Sequence, residues 1–296
     1  MTRPAPRLRE RRWFPLVWAV PTALVLLALA VLVARWFVRA QSGFLDLYPG
    51  TVPLPADSPV GFPAWLSWQH FLNGFFLLFI VRSGLTIRKR ERPPAFVTRR
   101  VLPNVGTPRR MPVHVWWHLT VDTLWTLNGV VYVVLLFATG QWVRIVPTSW
   151  DVIPNAVSAG LQYLSLDWPT HDGWTAYNAL QLLFYFATVF LAAPLALLTG
   201  LRLSPLWRWR NPPEALARRV HFWVLVYLVA FTIVHVALVL ANGALRNLNH
   251  IYAGRDDGSW IGLGVFALSL VAMVVGWVLL GVPAQKRIAA LTSTVR

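Results

Sequence analysis

Four histidines lie inside apolar segments that carry almost no other ionisable residue: His70, His118, His221 and His235. Ionisable side chains at membrane depth are costly and are usually functional. Imidazole is the commonest side-chain metal ligand, and two imidazoles can fill both axial positions of a haem iron. Such a six-coordinate iron has no open position for a substrate, so the residues predict electron transfer rather than chemistry on a bound molecule.

The spacing of these histidines predicts two haem sites at two depths. His221 and His235 share one segment and are fourteen residues apart, which on a helix returns to within about 40° of the same face after about 21 Å. His70 lies near the outer end of an earlier segment, and His118 near the cytoplasmic end of the next. We therefore predict axial pairs His70/His235 and His118/His221. An interhelical hydrogen-bonding role is the alternative for any single histidine.

Composition places the chain in a membrane. Of the 296 residues, 56% are hydrophobic and only 13% are charged, a more apolar balance than soluble domains have. The absence of cysteine excludes thioether-linked haem and thiolate-bound iron–sulfur clusters, so a haem would be of the b type. The basic residues lie in short stretches between apolar runs, a distribution that does not predict a nucleic-acid partner.

Six apolar segments are each long enough to cross a hydrocarbon core, which takes about 20 helical residues. Pro21 and Pro194 fall inside two of them and predict bends. The fold class predicted is all-α: a polytopic membrane protein with six transmembrane helices and a four-helix haem-binding bundle. The predicted segments are 14–38, 65–87, 114–140, 177–201, 219–242 and 259–282.

Charge in the connections predicts the orientation. Twenty-one of the 27 Lys and Arg residues lie in the two terminal tails and in the stretches 88–110 and 202–219, whereas seven of the eleven acidic residues lie in the other three connections. By the positive-inside rule both termini are cytoplasmic. The basic start and Val-Arg-Ala at 38–40 could also form a cleaved signal, but the long apolar run favours an uncleaved anchor.

The histidine pattern resembles the prokaryotic di-haem cytochrome b family, which includes membrane subunits of formate dehydrogenase, nickel-iron hydrogenase and thiosulfate reductase. The resemblance rests on the spacing from Arg-Val-His221 to Val-His235 and covers about residues 60–245. Stretches such as His70-Phe-Leu-Asn-Gly-Phe-Phe are similar to membrane cytochromes that accompany molybdopterin oxidoreductases. The resemblance implies two haem b groups, menaquinone or ubiquinone as exchangeable substrate, a redox partner on the outer face, and the bacterial inner membrane.

The same reading predicts a domain division. An anchor helix and outer loop would occupy residues 1–60, the four-helix di-haem core residues 61–245, and a last helix with its cytoplasmic tail residues 246–296. Catalysis in the strict sense would belong to the partner, and a quinone-reactive site is the only one this chain would host. A His-containing transmembrane metal or proton transporter is the alternative function, although transporters use midplane clusters and broken helices.

Asp122 is the candidate proton carrier, because it lies inside a span one turn after His118. It could relay a proton to quinone, accept a hydrogen bond from the ligand's other ring nitrogen, or pair with Arg218 or Arg219. Arg82 is a candidate contact for haem propionates. Gly74 and Gly129 are predicted on the ligand faces.

The remaining histidines are predicted to matter less. His114 is a reserve ligand at the interface, while His171 and His250 are expected to be ordinary surface residues. The outer connection 143–176 is predicted either to fold over the outer haem and dock a partner or to be loosely structured.

Overall fold

The computed structural model describes residues 14–90, 92–99, 110–168, 173–205, 207, 209 and 211–296. Six helices in these ranges are long and apolar enough to cross a membrane. Four are uninterrupted α-helices and a fifth, near the chain start, contains Pro21 without a break. These helices are α1 (Phe14–Ala40), α3 (Ala64–Lys89), α4 (Val113–Ala138), α8 (Glu214–Ala241), α10 (Ile261–Leu279), and a composite span Ala179–Leu203.

The predicted all-α, six-span membrane fold is confirmed. Five spans begin within two residues of the predicted position, and α8 begins five residues earlier, directly after Pro213. Proline is favoured just before a helix because its fixed φ prepares the first turn. Many large apolar side chains on the spans are exposed, Leu268 and Val278 by about 70%, as expected for surfaces that face lipid.

The composite span changes its hydrogen-bonding pattern in the middle. It consists of α6 (Ala179–Phe186), a π-helical stretch (Ala187–Ala192) and α7 (Ala193–Leu203). Pro194 is the second residue of α7, two positions after the π-helical stretch ends. Proline has no N–H for the α-helical ladder, and a π-turn is one way in which a helix accommodates such an interruption. The sequence predicts a bend at Pro194, and the helix changes from π to α hydrogen bonding just before this residue.

The chain divides into two compact units. The first comprises the described residues up to Pro55 together with Arg144–Phe184, and contains α1, α2 (Ser42–Leu47) and α5 (Val152–Leu164). Its core includes Val152, Ala156, Ala179 and Leu182. The outer connection is therefore ordered over α5, and the prediction of a loosely structured connection is wrong there.

The second unit comprises Ala56–Val143 and Tyr185–Arg296. Phe79 of α3 packs against Trp117 and Val121 of α4 in one cluster. A second cluster joins the composite span to α8 and includes Ala192, Val224 and Leu228. All four candidate ligands lie in this unit. The domain division predicted from the sequence stays a prediction.

The second unit also contains short elements that the sequence pattern does not predict. Strands β1 (Phe96–Arg99), β2 (Arg110–Pro112) and β3 (Ser293–Val295) form an antiparallel sheet in the order β2-β1-β3. Helix α11 (Val282–Thr292) leads into β3, and its Ala289 is buried with Val97 and Val113. Between α8 and α10, the chain forms α9 (Ala244–Leu248) and then a π-helical turn (Asn249–Ala253). We call residues 244–257 the outer turn.

Candidate haem-binding site

The outer pair of histidines joins two helices. His70 lies in the second turn of α3 and His235 in the last third of α8. Their ring centroids are 6.1 Å apart, with 54° between the ring planes. The two imidazoles therefore face one another across a gap between α3 and α8.

The inner pair joins α8 to a different helix. His118 of α4 and His221 of α8 have ring centroids 6.4 Å apart, with 78° between the planes. Because α8 is one unbroken helix from Glu214 to Ala241, fourteen residues separate the two levels by about 21 Å. The structure brings the four candidate ligands together as these two pairs.

Both separations match two imidazoles bound to one metal ion. A metal–imidazole bond of about 2 Å and a distance of about 1 Å from the ligating nitrogen to the ring centre place two axial ring centres about 6 Å apart. If the paired rings were only hydrogen-bonded or packed against each other, there would be no reason for the same distance between ring centres to occur at both levels. The residues present therefore fit a haem iron at each pair.

At the inner pair, a hydroxyl group holds the second nitrogen of each ring. Ser83 Oγ lies 2.8 Å from His118 Nδ1, and Thr199 Oγ1 lies 2.9 Å from His221 Nδ1. Ser83 comes from α3, and Thr199 from α7. Both inner histidines are thus tied through Nδ1 to a neighbouring helix, and Nε2 is the nitrogen of each ring that a metal could bind.

At the outer pair, aromatic rings surround the ligands. Phe231 stacks on His235 with centroids 5.6 Å apart and 8° between planes, and Tyr185 meets the same ring edge-on at 6.0 Å. Tyr252 of the outer turn contacts His70 edge-on at 5.7 Å. Nδ1 of His70 is buried and has no hydrogen-bond partner among the described residues. Packing, rather than hydrogen bonding, orients this pair.

Two glycines that the sequence did not indicate lie beside the inner histidines. A Cβ at Gly74 would approach Met273 of α10, so Gly74 faces that helix. A Cβ at Gly129 would meet nothing within 4 Å, and its place on a ligand face stays a prediction. A Cβ at Gly84 would lie 3.4 Å from Cε1 of His118, and one at Gly200 would lie 3.5 Å from Cε1 of His221. Each glycine directly follows the hydroxyl residue that holds the same ring.

Sequence reasoning missed these two dipeptides, Ser83-Gly84 and Thr199-Gly200. The sequence signal that could have indicated them is a hydroxyl residue followed by glycine, which occurs on α3 and α7, two helices that contribute no inner histidine. Ser83 lies thirteen residues after His70 on the same helix, at the depth of the other pair.

Asp122 is close to an inner ligand, but through a different atom from the one considered above. Its Oδ2 lies 3.4 Å from Nε2 of His118, while Nδ1 of that ring meets Ser83. The prediction that Asp122 accepts a hydrogen bond from the non-ligating nitrogen depends on which ring nitrogen binds a metal, and it stays a prediction. The suggested pairing with Arg218 is wrong, because Arg218 binds Glu214 one turn away.

Arg82 contacts the last membrane span. Its Nη1 donates a hydrogen bond to the Trp277 carbonyl at 2.6 Å, and its guanidinium lies 4.3 Å above the Trp277 ring. It therefore binds α3 to α10, and its contact with haem propionates stays a prediction.

His250 is not the ordinary surface residue that the sequence indicated. It is 4% exposed, stacks on Phe62 at 5.8 Å, and contacts Asp256 through Nε2 at 2.8 Å. Hydrogen bonds from Arg246 and from His250 lower the pKa of Asp256 to about 2. This network holds the outer turn, and with it Tyr252, against the outer pair.

The other two histidines add little to the site. His114 lies in the first turn of α4, is partly buried and stays a reserve ligand. His171 lies outside the described residues.

A polytopic helical membrane protein with paired intramembrane histidines is thus the class that fold and site define. Comparison with known proteins identifies a relative in Azospira oryzae named "Putative protein-methionine-sulfoxide reductase subunit YedZ1", 30% identical over 189 residues, which cover 60% of this chain and 88% of the relative. The chain belongs to the family of this subunit. No family model matches the sequence, and no solved structure matches it significantly.

Proposed function

We propose that this protein is a di-haem b-type cytochrome, the membrane subunit that carries electrons between the quinone pool and a redox partner on the outer face. The observation that carries the proposal is the pair of imidazole gaps, 6.1 and 6.4 Å between ring centres, built on the single rod of α8. Their spacing along α8 supports two redox centres in series, one at each pair, rather than a single centre.

The protein residues in this proposal have two tasks. His70 with His235, and His118 with His221, would hold the two haem irons as axial ligands. A haem with two axial imidazoles supplies a one-electron couple and no open coordination position. Apolar side chains around both levels would keep water away from the irons, which would limit the rearrangement that accompanies a change of charge.

The partner is proposed from the family relationship and from the sequence resemblance. The relative's name makes it a subunit of a protein-methionine-sulfoxide reductase, so we propose a reductase subunit that acts on oxidised methionine in proteins. A molybdopterin oxidoreductase is the partner class that the resemblance implies. With both termini cytoplasmic in a bacterial inner membrane, the outer pair and the outer turn would face that partner.

Quinone chemistry would take place at the inner level. Quinone couples electrons to protons, so its site needs a group that carries a proton at membrane depth. Asp122 lies 3.4 Å from His118 at this level, which supports a role as proton relay. Menaquinone and ubiquinone present the same carbonyl chemistry and are both compatible with this proposal.

The transporter alternative finds less support. A metal or proton path would gather several ligating side chains near the midplane, whereas among the described residues no three His, Cys, Asp or Glu side chains form such a group. The histidines stand as two pairs with different helices as partners of α8. This arrangement favours haem ligation.

The proposal is tested by the visible spectrum and haem content of the purified protein. We expect two haems per chain and a reduced-minus-oxidised spectrum of b type. The variant His221→Ala should lose the inner haem and His235→Ala the outer one, while His114→Ala, the matched control one turn before His118, should retain both. A folded wild-type protein that binds no haem despite adequate supply would end the proposal.

The proposed partner is tested separately. Oxidation of the reduced haems by a methionine-sulfoxide-containing protein should require the reductase subunit and should stop when that subunit is removed. Rapid oxidation by the substrate protein without any second subunit would contradict the assignment of this chain as a carrier.

A further inference from the structure

Two buried hydroxyl–glycine dipeptides repeat the same arrangement around the two inner histidines. Ser83 and Thr199 are 5% and 8% exposed, so water does not compete for their hydroxyls. Each contacts Nδ1 of one ring, and the glycine that follows lies against Cε1 of the same ring. We call Ser83-Gly84 and Thr199-Gly200 the inner cradles.

The hydrogen bonds of each cradle fix the direction in which the proton is donated. Ser83 Oγ lies 2.7 Å from the carbonyl oxygen of Phe79, and Thr199 Oγ1 lies 2.6 Å from that of Leu195. A carbonyl can only accept, and a hydroxyl has one proton to give. Each hydroxyl therefore donates along its own helix and accepts a hydrogen bond from the imidazole Nδ1–H.

A second backbone carbonyl lies within reach of each hydroxyl. Ser83 Oγ lies 3.2 Å from the carbonyl oxygen of Ile80, and Thr199 Oγ1 lies 3.1 Å from that of Ala196. Each hydroxyl proton therefore has two acceptors on its own helix, which supports Nδ1–H as the donor of each ring and leaves the lone pair that a metal needs on Nε2.

From this geometry we infer that Ser83 and Thr199 are positioning residues for the inner haem. They fix the tautomer and rotation of its two imidazoles, and by accepting a hydrogen bond from Nδ1–H they increase the basicity of both ligands. A more basic ligand stabilises the oxidised iron, so the cradles lower the reduction potential of the inner haem. This inference rests on the proposed function, because it concerns the same two ligands.

The outer pair provides the internal comparison. His70 has no hydrogen-bond partner for its buried Nδ1 among the described residues, and His235 is oriented by the parallel ring of Phe231. Removing the inner hydroxyls should therefore change one haem and leave the other as a reference within the same molecule.

The test uses Ser83→Ala, Thr199→Val and the double variant in the full-length, haem-loaded protein. A redox titration followed optically should resolve two components. We expect the inner component to move to higher potential in each single variant and further in the double variant, with the outer component unchanged. The inner site should also lose haem to an apo-protein acceptor about 10-fold more readily for each hydroxyl removed.

Matched controls carry the same substitutions away from the rings. Thr86 of α3 donates only along its own helix, to the Arg82 carbonyl, and Thr123 of α4 donates to the Leu119 carbonyl. Thr86→Ala and Thr123→Val should titrate as wild type. Ser83→Thr and Thr199→Ser retain the hydroxyl and should restore the wild-type potential.

Three results would overturn the inference. Wild-type titration curves in the double variant, an equal shift of both components, or failure of the hydroxyl-retaining variants to restore the potential would each do so. If Ser83→Ala does not fold, electron–nuclear double resonance on the wild-type protein decides, since it must find a slowly exchanging Nδ1 proton on the inner ligands. Two haems with unaltered potentials would refute only the cradles, whereas a wild-type protein without haem would refute the proposed function as well.

Discussion

The ring of Phe231 lies parallel to the ring of His235, one helical turn further along α8, with 8° between their planes. Tyr227, a further turn back, stacks on Phe231 at 21°. Residues four apart share one helix face, so α8 presents a stack of three rings that ends at His235. Phe231 therefore sets the rotation of one outer ligand by packing alone.

Phe231→Leu should release the His235 ring. Leucine cannot stack, and loss of an aromatic pair removes about 1 kcal/mol. We expect two haems to remain bound, the low-temperature spectrum and g-values of the outer haem to change, and the inner haem to keep its own. Electron paramagnetic resonance is the measurement.

Phe71→Leu serves as the control for Phe231→Leu. Phe71 follows His70 directly but packs on Trp68 and Phe75, not on a ligand. A change of the outer signal in this variant equal to that in Phe231→Leu would contradict a specific role of the stack.

Gly262 of α10 lies in close contact with the outer turn. Its N–H donates to Asn249 Oδ1 at 2.6 Å, and a Cβ here would overlap the backbone of Leu248 and Asn249. Gly262→Ala should therefore displace the outer turn and lower the free energy of unfolding by about 3 kcal/mol. Tyr252 would move away from His70, so both thermal unfolding and loss of the outer haem should begin at a lower temperature than in the wild type.

Gly264→Ala is the matched control on the same helix. A Cβ at Gly264 meets nothing within 4 Å, and alanine is favoured over glycine in a helix. We expect wild-type or slightly higher stability. Equal unfolding stability of Gly262→Ala and Gly264→Ala would show that the close approach of Gly262 to the outer turn does not contribute to stability.

Much of this fold could be predicted from hydropathy, because lipid requires long helices whose backbone groups are satisfied internally. The two depths of the histidines followed from the same segments and from helical geometry. The cradles could not be found in this way. Serine and threonine in membrane helices commonly bond to their own helix, as Thr86 and Thr123 do, and the glycine that follows Ser83 and Thr199 is the one local difference in sequence.

The role of His250 was hidden for a different reason. Its burial depends on Phe62, which lies 188 positions earlier in the chain, and on Asp256 in the same loop. The short strands β1 and β3 likewise pair across nearly 200 residues. Such long-range contacts leave no periodic pattern in either segment, so local sequence reasoning assigns them to loops.

Acidification should weaken the outer turn only at very low pH. The pKa of Asp256 is lowered from its ordinary value of 3.8 to about 2, chiefly by hydrogen bonds from Arg246 and His250. A lowered pKa in the folded state gives stabilisation that is complete above the unfolded pKa and is lost as pH falls through the folded one. The protection factors of residues 244–257, which compare amide exchange with that of an unfolded chain at the same pH, should therefore be constant from pH 6 to about 4 and fall toward about pH 2.

Asp256→Asn should remove this dependence and give fast exchange at every pH. Asp57→Asn, which removes a carboxylate from an exposed loop position, is the control and should exchange as wild type. A wild-type outer turn that opens near pH 4 would mean that these hydrogen bonds do not hold Asp256 ionised.

The proton-relay proposal predicts a kinetic defect without a structural one at Asp122. Asparagine keeps the shape of the side chain but cannot carry a proton, so Asp122→Asn should slow haem reduction by quinol about 100-fold. Reduction by dithionite, which needs no proton relay, should proceed as in the wild type, with two haems bound. Asp122→Glu retains the carboxyl group and should recover most of the quinol-driven rate. A normal quinol rate in Asp122→Asn would exclude the relay, whereas loss of the inner haem would make Asp122 a support for His118, the residue whose Nε2 it approaches at 3.4 Å.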